Sequence, residues 1–426
     1  MRDHRFVRAA PAVAALIVGI VALGPALRPG FVLRYDMVFV PDPPVAWPQG
    51  GFPRAVPSDL VVALLSHVVP APLLQKLILL GVFVLAGTGA AALLPRARRA
   101  HEDGTAPMDG TVPVDGPVRG GERKDAGLLV ARVAAAVFYA WNAYLAQRLL
   151  LGQWALLLGF AGLPWAVRAA ARGDWRRLAL ALLPAAVGGF QAMLVSALVV
   201  LPVAATREKD RSRGTLRAGA VLAVLSLPWA VPALLSGAVT DPAGVDAFAA
   251  RADGPFGTAG SLLTLGGIWN AEATVPGQSA WWLATARLLL AVLAVAAFTR
   301  LRAAPYRTGL AIAAVMGLAI ALTGAYAPGA LKALIAFWPG FGPLRDGQLY
   351  IAPLALVQAV GFGSLARRTT APASPYLSSP SRRRFGSDER RRGEGLRDGD
   401  DESPTGREGE VRSGSDGWGE SWVGRE

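Results

Sequence analysis

Residues 9–27 read Ala9-Ala-Pro-Ala-Val-Ala-Ala-Leu-Ile-Val-Gly-Ile-Val-Ala-Leu-Gly-Pro-Ala-Leu27, an uncharged apolar run that follows Arg2, Arg5 and Arg8. About 20 apolar residues are enough for a helix to cross a bilayer, and arginines beside such a helix stay in the cytoplasm. The run is longer than the apolar core of about 7–15 residues in a cleaved signal peptide. We therefore interpret it as an uncleaved signal anchor, with a cleaved signal peptide as the alternative.

Seven further runs have the same length and character, at residues 73–94, 128–146, 152–170, 218–235, 281–298, 309–326 and 349–365. The composition agrees with this pattern, because 53% of the 426 residues are hydrophobic and only 17% are charged. Soluble domains carry about 25% charged residues. The sequence therefore predicts a polytopic membrane protein and excludes an assembly of soluble domains.

The apolar run at residues 178–205 needs a different interpretation, because arginines and lysines flank it on both sides, at residues 168–177 and 207–217. A single crossing would leave one of these basic clusters outside the cell. Pro184, Gly188-Gly189 and Gln191 interrupt the run. We predict two short half-helices that enter and leave from the cytoplasmic side. The predicted fold is all-α, a transmembrane helical bundle of about ten crossings when this half-helix pair is counted.

The arrangement of spans divides the chain into segments on the two sides of the membrane. The transmembrane domain covers residues 1–366, with exterior loops at 28–57, 236–280 and 327–347 and a short exterior turn around Arg148. Residues 95–126 form a cytoplasmic linker, and residues 367–426 form a disordered, charged tail, because both are polar and of low complexity. The sequence thus predicts a multi-pass protein of the cell membrane with its N-terminus and its C-terminal tail in the cytoplasm.

Several kinds of chemistry are excluded by residues that the chain lacks. It has no cysteine and three histidines, which rules out a disulfide framework, a thiolate metal site and a cysteine nucleophile, and leaves little for zinc. The net charge of +13 would suit nucleic acid, but the arginines lie between apolar runs and in the tail. We interpret them as topology signals and predict no nucleic-acid partner.

The first exterior loop contains Arg34-Tyr35-Asp36 and then Pro41-Asp42-Pro-Pro. An acid that follows the first span among apolar and proline residues suits a general base or a ligand of a divalent cation. Arg34 would point the same way as Asp36 in an extended chain, as a charge partner or as a contact for a phosphate. The alternative is an Asp–Arg pair or a turn cap, and for Asp42, between prolines, a turn is favoured.

Two other stretches place polar groups at the predicted outer ends of spans. Residues 139–154 include Asn142, Arg148 and Gln153 in an otherwise apolar and aromatic block, and Arg148 there could reach the interface or bind an anion. Residues 338–350 form a Gly/Pro-rich loop that delivers Arg345 and Asp346 to the start of the last span. An arginine on an ordered loop suits a lipid phosphate, and the alternative is a salt bridge that ends the loop.

Taken together, three features resemble polytopic glycosyltransferases of the GT-C structural class, in particular the arabinofuranosyl- and mannosyltransferase-like proteins of bacterial cell-wall polysaccharide synthesis. They are an acid after the first span, the block from Trp141-Asn142-Ala-Tyr144 to Gly152-Gln153-Trp154, and the loop Leu344-Arg345-Asp346-Gly347-Gln348. The resemblance covers residues 2–365, and most of its specificity lies in the order of the pieces.

The resemblance implies transfer of a sugar from a polyprenyl-phosphate donor to a cell-envelope glycan acceptor on the outer face. Asp36 would be the catalytic base or, with Asp42, a ligand of Mg²⁺ or Mn²⁺, and no other cofactor is implied. Substrate-binding roles would then fall to Arg34, Asn142, Arg148, Gln153, Arg345 and Asp346. The remaining partners would be membrane lipids. Two alternatives stay open, namely a transporter or lipid-carrier flippase, and a non-catalytic scaffold of cell-wall synthesis.

Overall fold

The computed structural model of the protein describes residues 2–45, 52–53, 55–94 and 118–369. All regular secondary structure in these ranges is helical, and an isolated bridge pairs Arg34 with Met37. The predicted cytoplasmic linker up to residue 117 and the predicted tail from residue 370 lie outside the described residues. The all-α prediction is therefore confirmed for the part of the chain that forms the bundle.

Fifteen α-helices occur in the described ranges. The first eight are α1 (Arg2–Leu23), α2 (Ser58–Ser66), α3 (Ala71–Leu93), α4 (Val118–Ala140), α5 (Ala143–Leu150), α6 (Trp154–Arg172), α7 (Trp175–Gly188) and α8 (Phe190–Ala205). The others are α9 (Arg211–Leu235), α10 (Gly244–Phe248), α11 (Gly257–Leu263), α12 (Trp281–Thr299), α13 (Arg307–Tyr326), α14 (Pro328–Phe337) and α15 (Ala352–Thr369).

Within the described residues, eight helical segments are long and apolar enough to cross a membrane. They coincide with the eight predicted spans: Ala9–Leu27, Ala71–Leu93, Ala126–Leu150, Trp154–Arg172, Arg211–Leu235, Trp281–Thr299, Arg307–Tyr326 and Gly347–Thr369. A multi-pass membrane protein is thus supported by length and composition. The total of ten crossings and the orientation of the two faces stay predictions.

The interrupted run between the basic clusters forms two separate helices, α7 and α8. Gly189 separates them with φ 78° and ψ −153°, a backbone conformation that is essentially restricted to glycine. The pair packs along α6, because Ala181 lies beside Gly162 and Ala192 beside Gly159. The start of α7 and the end of α8 meet at the Arg172 end of α6. The prediction of a helical pair that begins and ends on the same side agrees with this arrangement.

Helix α15 lies at the centre of the bundle and packs against α4, α12 and α13. Two of its glycines allow close approach of neighbouring backbones. A Cβ atom on Gly361 would touch the carbonyl oxygen of Ala294, and one on Gly363 would lie 2.6 Å from that of Ala131. Small residues at helix contacts are the usual basis of packing in membranes, where water does not drive helices together. Most residues of α15 are consequently buried.

Two boundaries differ from the sequence predictions. The exterior turn expected around Arg148 is wrong, because Arg148 lies inside α5 and the chain turns afterwards, at residues 151–153. Asn142 breaks the preceding helix and caps α5, and Gln147 and Arg148 of this short helix are buried in the bundle. Helix α4 begins at Val118, within the residues predicted as linker, and the apolar part that could cross a membrane begins at Ala126.

Candidate functional site

A cavity of about 1840 Å³ reaches the end of the bundle where α6 begins, which we call the site end. Polar residues from distant parts of the chain line it there, namely Asp36, Asp59, Gln153, Arg345 and Asp346. Four aromatic residues of the later loops join them: Phe248, Trp269, Trp338 and Phe341. The structure thus brings the first predicted loop, the start of α6 and the predicted arginine loop to one space.

The cavity continues along the bundle as an apolar groove between α8, α9 and α13. Its lining includes Leu194, Leu198 and Leu201 of α8 and Ile312 and Met316 of α13. One face of α8 contributes from its first to its last residue. Because that helix has 16 residues and a helix rises 1.5 Å per residue, the groove is about 24 Å long. It therefore extends through most of the thickness of a bilayer core, which is about 30 Å.

A buried ion pair between Arg148 and Asp346 lies behind the site end. Arg148 is fully buried, and its Nη1 and Nη2 atoms donate to Oδ2 and Oδ1 of Asp346 at 2.8 Å and 3.0 Å. Such two-point contacts between guanidinium and carboxylate fix both groups in one geometry. The two predicted substrate-binding residues are thus each other's partners. Asp346 reaches the cavity, whereas Arg148 acts from behind it.

Gln153 connects this ion pair to Asp36. Arg148 Nη1 donates to Gln153 Oε1 at 2.7 Å, and Gln153 Nε2 donates to Asp36 Oδ2 at 3.2 Å. The backbone N–H of Asp36 donates to the carbonyl of Leu151 at 3.1 Å, which seats the first loop on the turn before α6. Asp36 is exposed, so the apolar and proline residues beside it in the sequence do not enclose it.

Gly152 makes the close seating of the first loop possible. Its φ of +69° lies in the left-handed region. A Cβ atom there would touch the carbonyl oxygen of Arg34 and would lie 2.5 Å from the backbone nitrogen of Met37. Only glycine fits both requirements at low cost. The position of Asp36 therefore depends on the absence of a side chain at residue 152.

A second chain of contacts leads from Arg148 to a buried acid that the sequence analysis did not select, Asp253. Arg148 Nη2 donates to Gln348 Oε1, and Gln348 Nε2 donates to Gln147 Oε1 at 3.4 Å. Gln147 Nε2 then donates to Asp253 Oδ2 at 2.8 Å. Gln147 and Gln348 are fully buried. Two members of this cluster, Gln147 and Gln348, could have been noticed in the sequence as uncharged polar residues within apolar stretches.

Arg345, the residue before Asp346, also lines the cavity. Its guanidinium carbon lies 4.7 Å from the centre of the Phe248 ring, within the range of a cation–π contact. Phe248 in turn packs edge-on against Trp269, with ring centres 4.8 Å apart. Gly244 leaves room for the arginine, since a Cβ atom there would lie 3.1 Å from Nη1 of Arg345. The short helix α10 thus holds Arg345 at the site end.

Two predicted binding residues have structural contacts instead of a place in the cavity lining. Arg34 Nε donates to the carbonyl of Leu150 at 2.8 Å. Asn142 caps α5, because its Oδ1 accepts from the N–H of Leu145 and its Nδ2 donates to the carbonyls of Phe138 and Tyr139. Their roles in substrate binding stay predictions without support from these contacts.

Asp59, which the sequence analysis did not select, lies at the start of α2 and lines the cavity. Loss of hydration raises the pKa of Asp59, and a contact from Ser58 partly offsets this. Its carboxyl group is therefore protonated over a wider pH range than an ordinary aspartate. Asp59 thus joins Asp36 and Asp346 among the acids of the cavity lining.

The described residues contain no group of three or more His, Cys, Asp or Glu side chains that could hold a metal ion. The Mg²⁺ or Mn²⁺ site predicted at Asp36 and Asp42 thus has no third His, Cys, Asp or Glu ligand among these residues.

No protein-family model, curated protein or solved structure matches this chain. The resemblance to GT-C glycosyltransferases stays a prediction from motifs, and the function has to be argued from the cavity and the residues around it.

Proposed function

We propose that this protein is an integral membrane glycosyltransferase that moves a sugar from a polyprenyl-phosphate donor to a cell-envelope acceptor. The observation that supports it most strongly is the shape of the cavity, which joins a polar site to an apolar groove of about 24 Å. A substrate with a charged head and a long hydrocarbon chain needs both parts. A water-soluble substrate would leave the apolar groove without a function.

The polar end offers suitable contacts for the head of such a donor. Arg345 is half-buried and faces the cavity, so its charge can meet a phosphate in an environment less polar than water. Arginine matches phosphate geometry with two parallel donors. Phe248, Trp338 and Phe341 supply flat apolar surfaces beside it, which suit the carbon face of a sugar ring.

In this proposal Asp36 acts as the general base. An acceptor hydroxyl oxygen attacks the anomeric carbon of the donor sugar, and its proton passes to the Asp36 carboxylate. The bond between the anomeric carbon and the phosphate oxygen breaks, and the electron pair leaves with the polyprenyl phosphate. Arg345 stabilises the negative charge that develops on the phosphate. Gln153 holds Asp36 by its hydrogen bond and leaves the second carboxylate oxygen for the acceptor.

Transport and a scaffold role make different demands on the same residues. A translocation path usually carries several polar or ionisable groups, whereas the α8 face of the groove offers Gln191 among apolar side chains. A scaffold would not require Asp36. Gln191→Leu is therefore expected to impair a transporter, and Asp36→Asn to impair an enzyme and leave a scaffold intact.

The proposal is tested by the thermal stability of the protein in lipid nanodiscs with polyprenyl phosphates that do or do not carry a sugar. A ligand that binds the folded state raises the unfolding temperature, and at a given ligand concentration the shift grows with the logarithm of its affinity. We expect a larger shift with the sugar-bearing lipid and a loss of that shift in Arg345→Ala. The control is Arg302→Ala, which removes an exposed arginine that is not part of the cavity lining.

Equal stabilisation by an alkyl lipid without phosphate, or a shift that survives in Arg345→Ala, would contradict the assignment of the donor site. A sugar-dependent shift without transfer to any glycan acceptor would favour lipid transport.

A further inference from the structure

We infer that Asp253, on the segment between α10 and α11, is a positioning residue for Asp36. A hydrogen-bond chain runs from the buried Asp253 carboxylate through Arg148 to Asp36, the candidate base. Asp253 determines which end of each glutamine amide in this chain donates and which accepts. The inference uses the proposed function only to give Asp36 its catalytic role. The contacts themselves do not depend on what the protein transfers.

The direction of the chain follows from which groups can donate. An arginine only donates, an ionised carboxylate only accepts, and a glutamine amide has one donating and one accepting end. Gln348 turns its oxygen to Arg148 and its nitrogen to Gln147, and Gln147 turns its nitrogen to Asp253. One orientation of each amide therefore satisfies both neighbours. Asp253 is the acceptor that sets this orientation at the buried end.

The other branch from Arg148 obeys the same rule. Gln153 presents its oxygen to Arg148 and therefore turns its nitrogen towards Asp36. Besides its ion pair with Asp346, Arg148 thus donates into two branches, and each branch ends at an aspartate. The Nε atom of Arg148 is buried and has no hydrogen-bond partner among the described residues. The guanidinium is consequently oriented by its Nη contacts to Asp346, Gln153 and Gln348. In this inference a change at Gln348 shifts the guanidinium against Asp346 and thereby alters the contact to Gln153.

Asp253 is held firmly enough to act as a fixed end. Its Oδ2 also accepts from the backbone N–H of Gly267 at 2.6 Å and from Gln278 Nε2 at 2.9 Å. Its own N–H donates to Ser261 Oγ at 3.1 Å. The Asp253 residue is 8% exposed. A carboxylate held by three donors in a buried position cannot turn away to relieve a mismatch with Gln147.

The test uses the absence of cysteine from the chain. In an Asp36→Cys protein, the single thiol reports on its surroundings through its reaction rate with a soluble maleimide as a function of pH. The thiolate is the reactive form, so the Gln153 N–H directed at it lowers the pH at which the reaction becomes fast. This measurement requires no sugar transfer.

Four variants are compared in that background. Gln147→Glu places a carboxylate against Asp253, and we expect the labelling rate at pH 7 to fall several-fold, with the midpoint of the pH profile moved upwards. Asp253→Asn keeps an accepting oxygen and is expected to have a weaker effect. The pair Gln147→Glu with Asp253→Asn restores a donor opposite the new carboxylate and is expected to recover most of the rate. The control Asp246→Asn removes an exposed acid near the same segment and should change nothing.

A purely structural role predicts another pattern, in which the variants lower the unfolding temperature but leave the pH profile of the thiol unchanged. That result, or a double variant no better than Gln147→Glu, would overturn the inference. If Gln147→Glu does not fold, the milder Asp253→Asn and the control decide the question. A chain that shows this coupling but no stabilisation by sugar lipids would retain the inference and reject the enzyme proposal.

Discussion

Arg148 and Asp346 lie 198 positions apart in the sequence and meet in a buried two-point ion pair. Removing one member leaves the other charge buried without its partner, which typically costs about 3–5 kcal/mol. We expect Arg148→Met to lower the free energy of unfolding by roughly this amount. The combination of Arg148→Met with Asp346→Leu should recover most of the loss, because no unpaired charge then remains. Reversible unfolding in mixed micelles measures both.

The control for this prediction is Lys332→Met, which breaks the partly exposed ion pair with Asp246. Exposed pairs contribute about 0–1 kcal/mol, so this variant should be close to the wild type. If the double variant loses as much free energy of unfolding as the two single variants together, the broken ion pair is not the cause of the destabilisation.

Gly152→Ala is expected to displace the loop that carries Asp36. The new Cβ atom would collide with backbone atoms of Arg34 and Met37 in addition to the cost of a positive φ. Gly30→Ala is the matched control, because Gly30 has φ +97° but no atom lies within 4 Å of the place that its new Cβ atom would take. Both variants should lose about 1–2 kcal/mol from the backbone conformation. Gly152→Ala should in addition lose most of the sugar transfer, and equal activity of the two variants would contradict the seating of the loop.

Phe248→Leu should weaken the binding of lipid phosphates without unfolding the protein. A cation–π contact at a partly exposed site contributes about 0.5–1 kcal/mol, which corresponds to roughly a two- to fivefold increase in Kd. Titration of the unfolding temperature with lipid phosphate measures it. Phe256→Leu, on the segment between α10 and α11, is the control and should leave Kd unchanged. If both variants bind equally well, Phe248 does not orient Arg345.

Ala197→Trp should fill the apolar groove, because Ala197 lines it midway along α8. We expect long-chain lipid phosphates to lose their stabilising effect. A short-chain analogue that occupies only the polar end should keep its effect. Ala220→Trp, on an exposed part of α9, is the control. Loss of both kinds of ligand in Ala197→Trp, with a lowered unfolding temperature, would mean that the bundle and not the groove was disturbed.

The predicted orientation can be tested with single introduced cysteines. Val38 is 70% exposed at the site end, and Ser212 is exposed at the start of α9. A maleimide that cannot cross membranes should label Val38→Cys in intact cells and should label Ser212→Cys only after lysis. The reverse pattern would place Asp36 and Arg345 in the cytoplasm and exclude an acceptor on the outer face.

The spans could be predicted from sequence because each is a local property. Composition within about 20 residues identifies a crossing helix, and Gly188-Gly189 identifies the break between α7 and α8. Asp36 and Arg345 were likewise found from local context, and both line the cavity. In each case the decisive information lies within one stretch of the chain.

The contacts of Arg148 could not be predicted in this way. Its partners Asp346 and Gln348 are about two hundred positions away, so sequence spacing does not indicate that the three side chains meet. An arginine beside a predicted membrane surface suggests a free charge, whereas the fold neutralises it in the interior. The cap that Asn142 forms was equally hard to predict, because a helix cap and a polar binding residue can have the same side chain.

The packing of helix α9 bears on the route by which a ligand would reach the groove. It packs against α7 and α8, and its buried residues are Ala218 and Leu222, whereas Leu234 and Leu235 are more than 80% exposed. Pro228 and Pro232 also weaken its internal hydrogen bonding near the site end. Under the proposed function, the lipid donor would therefore enter sideways past this helix from the bilayer. Occupancy of the groove then depends on the mole fraction of that lipid in the membrane, so affinities should be compared between bilayers on that scale and not by bulk concentration.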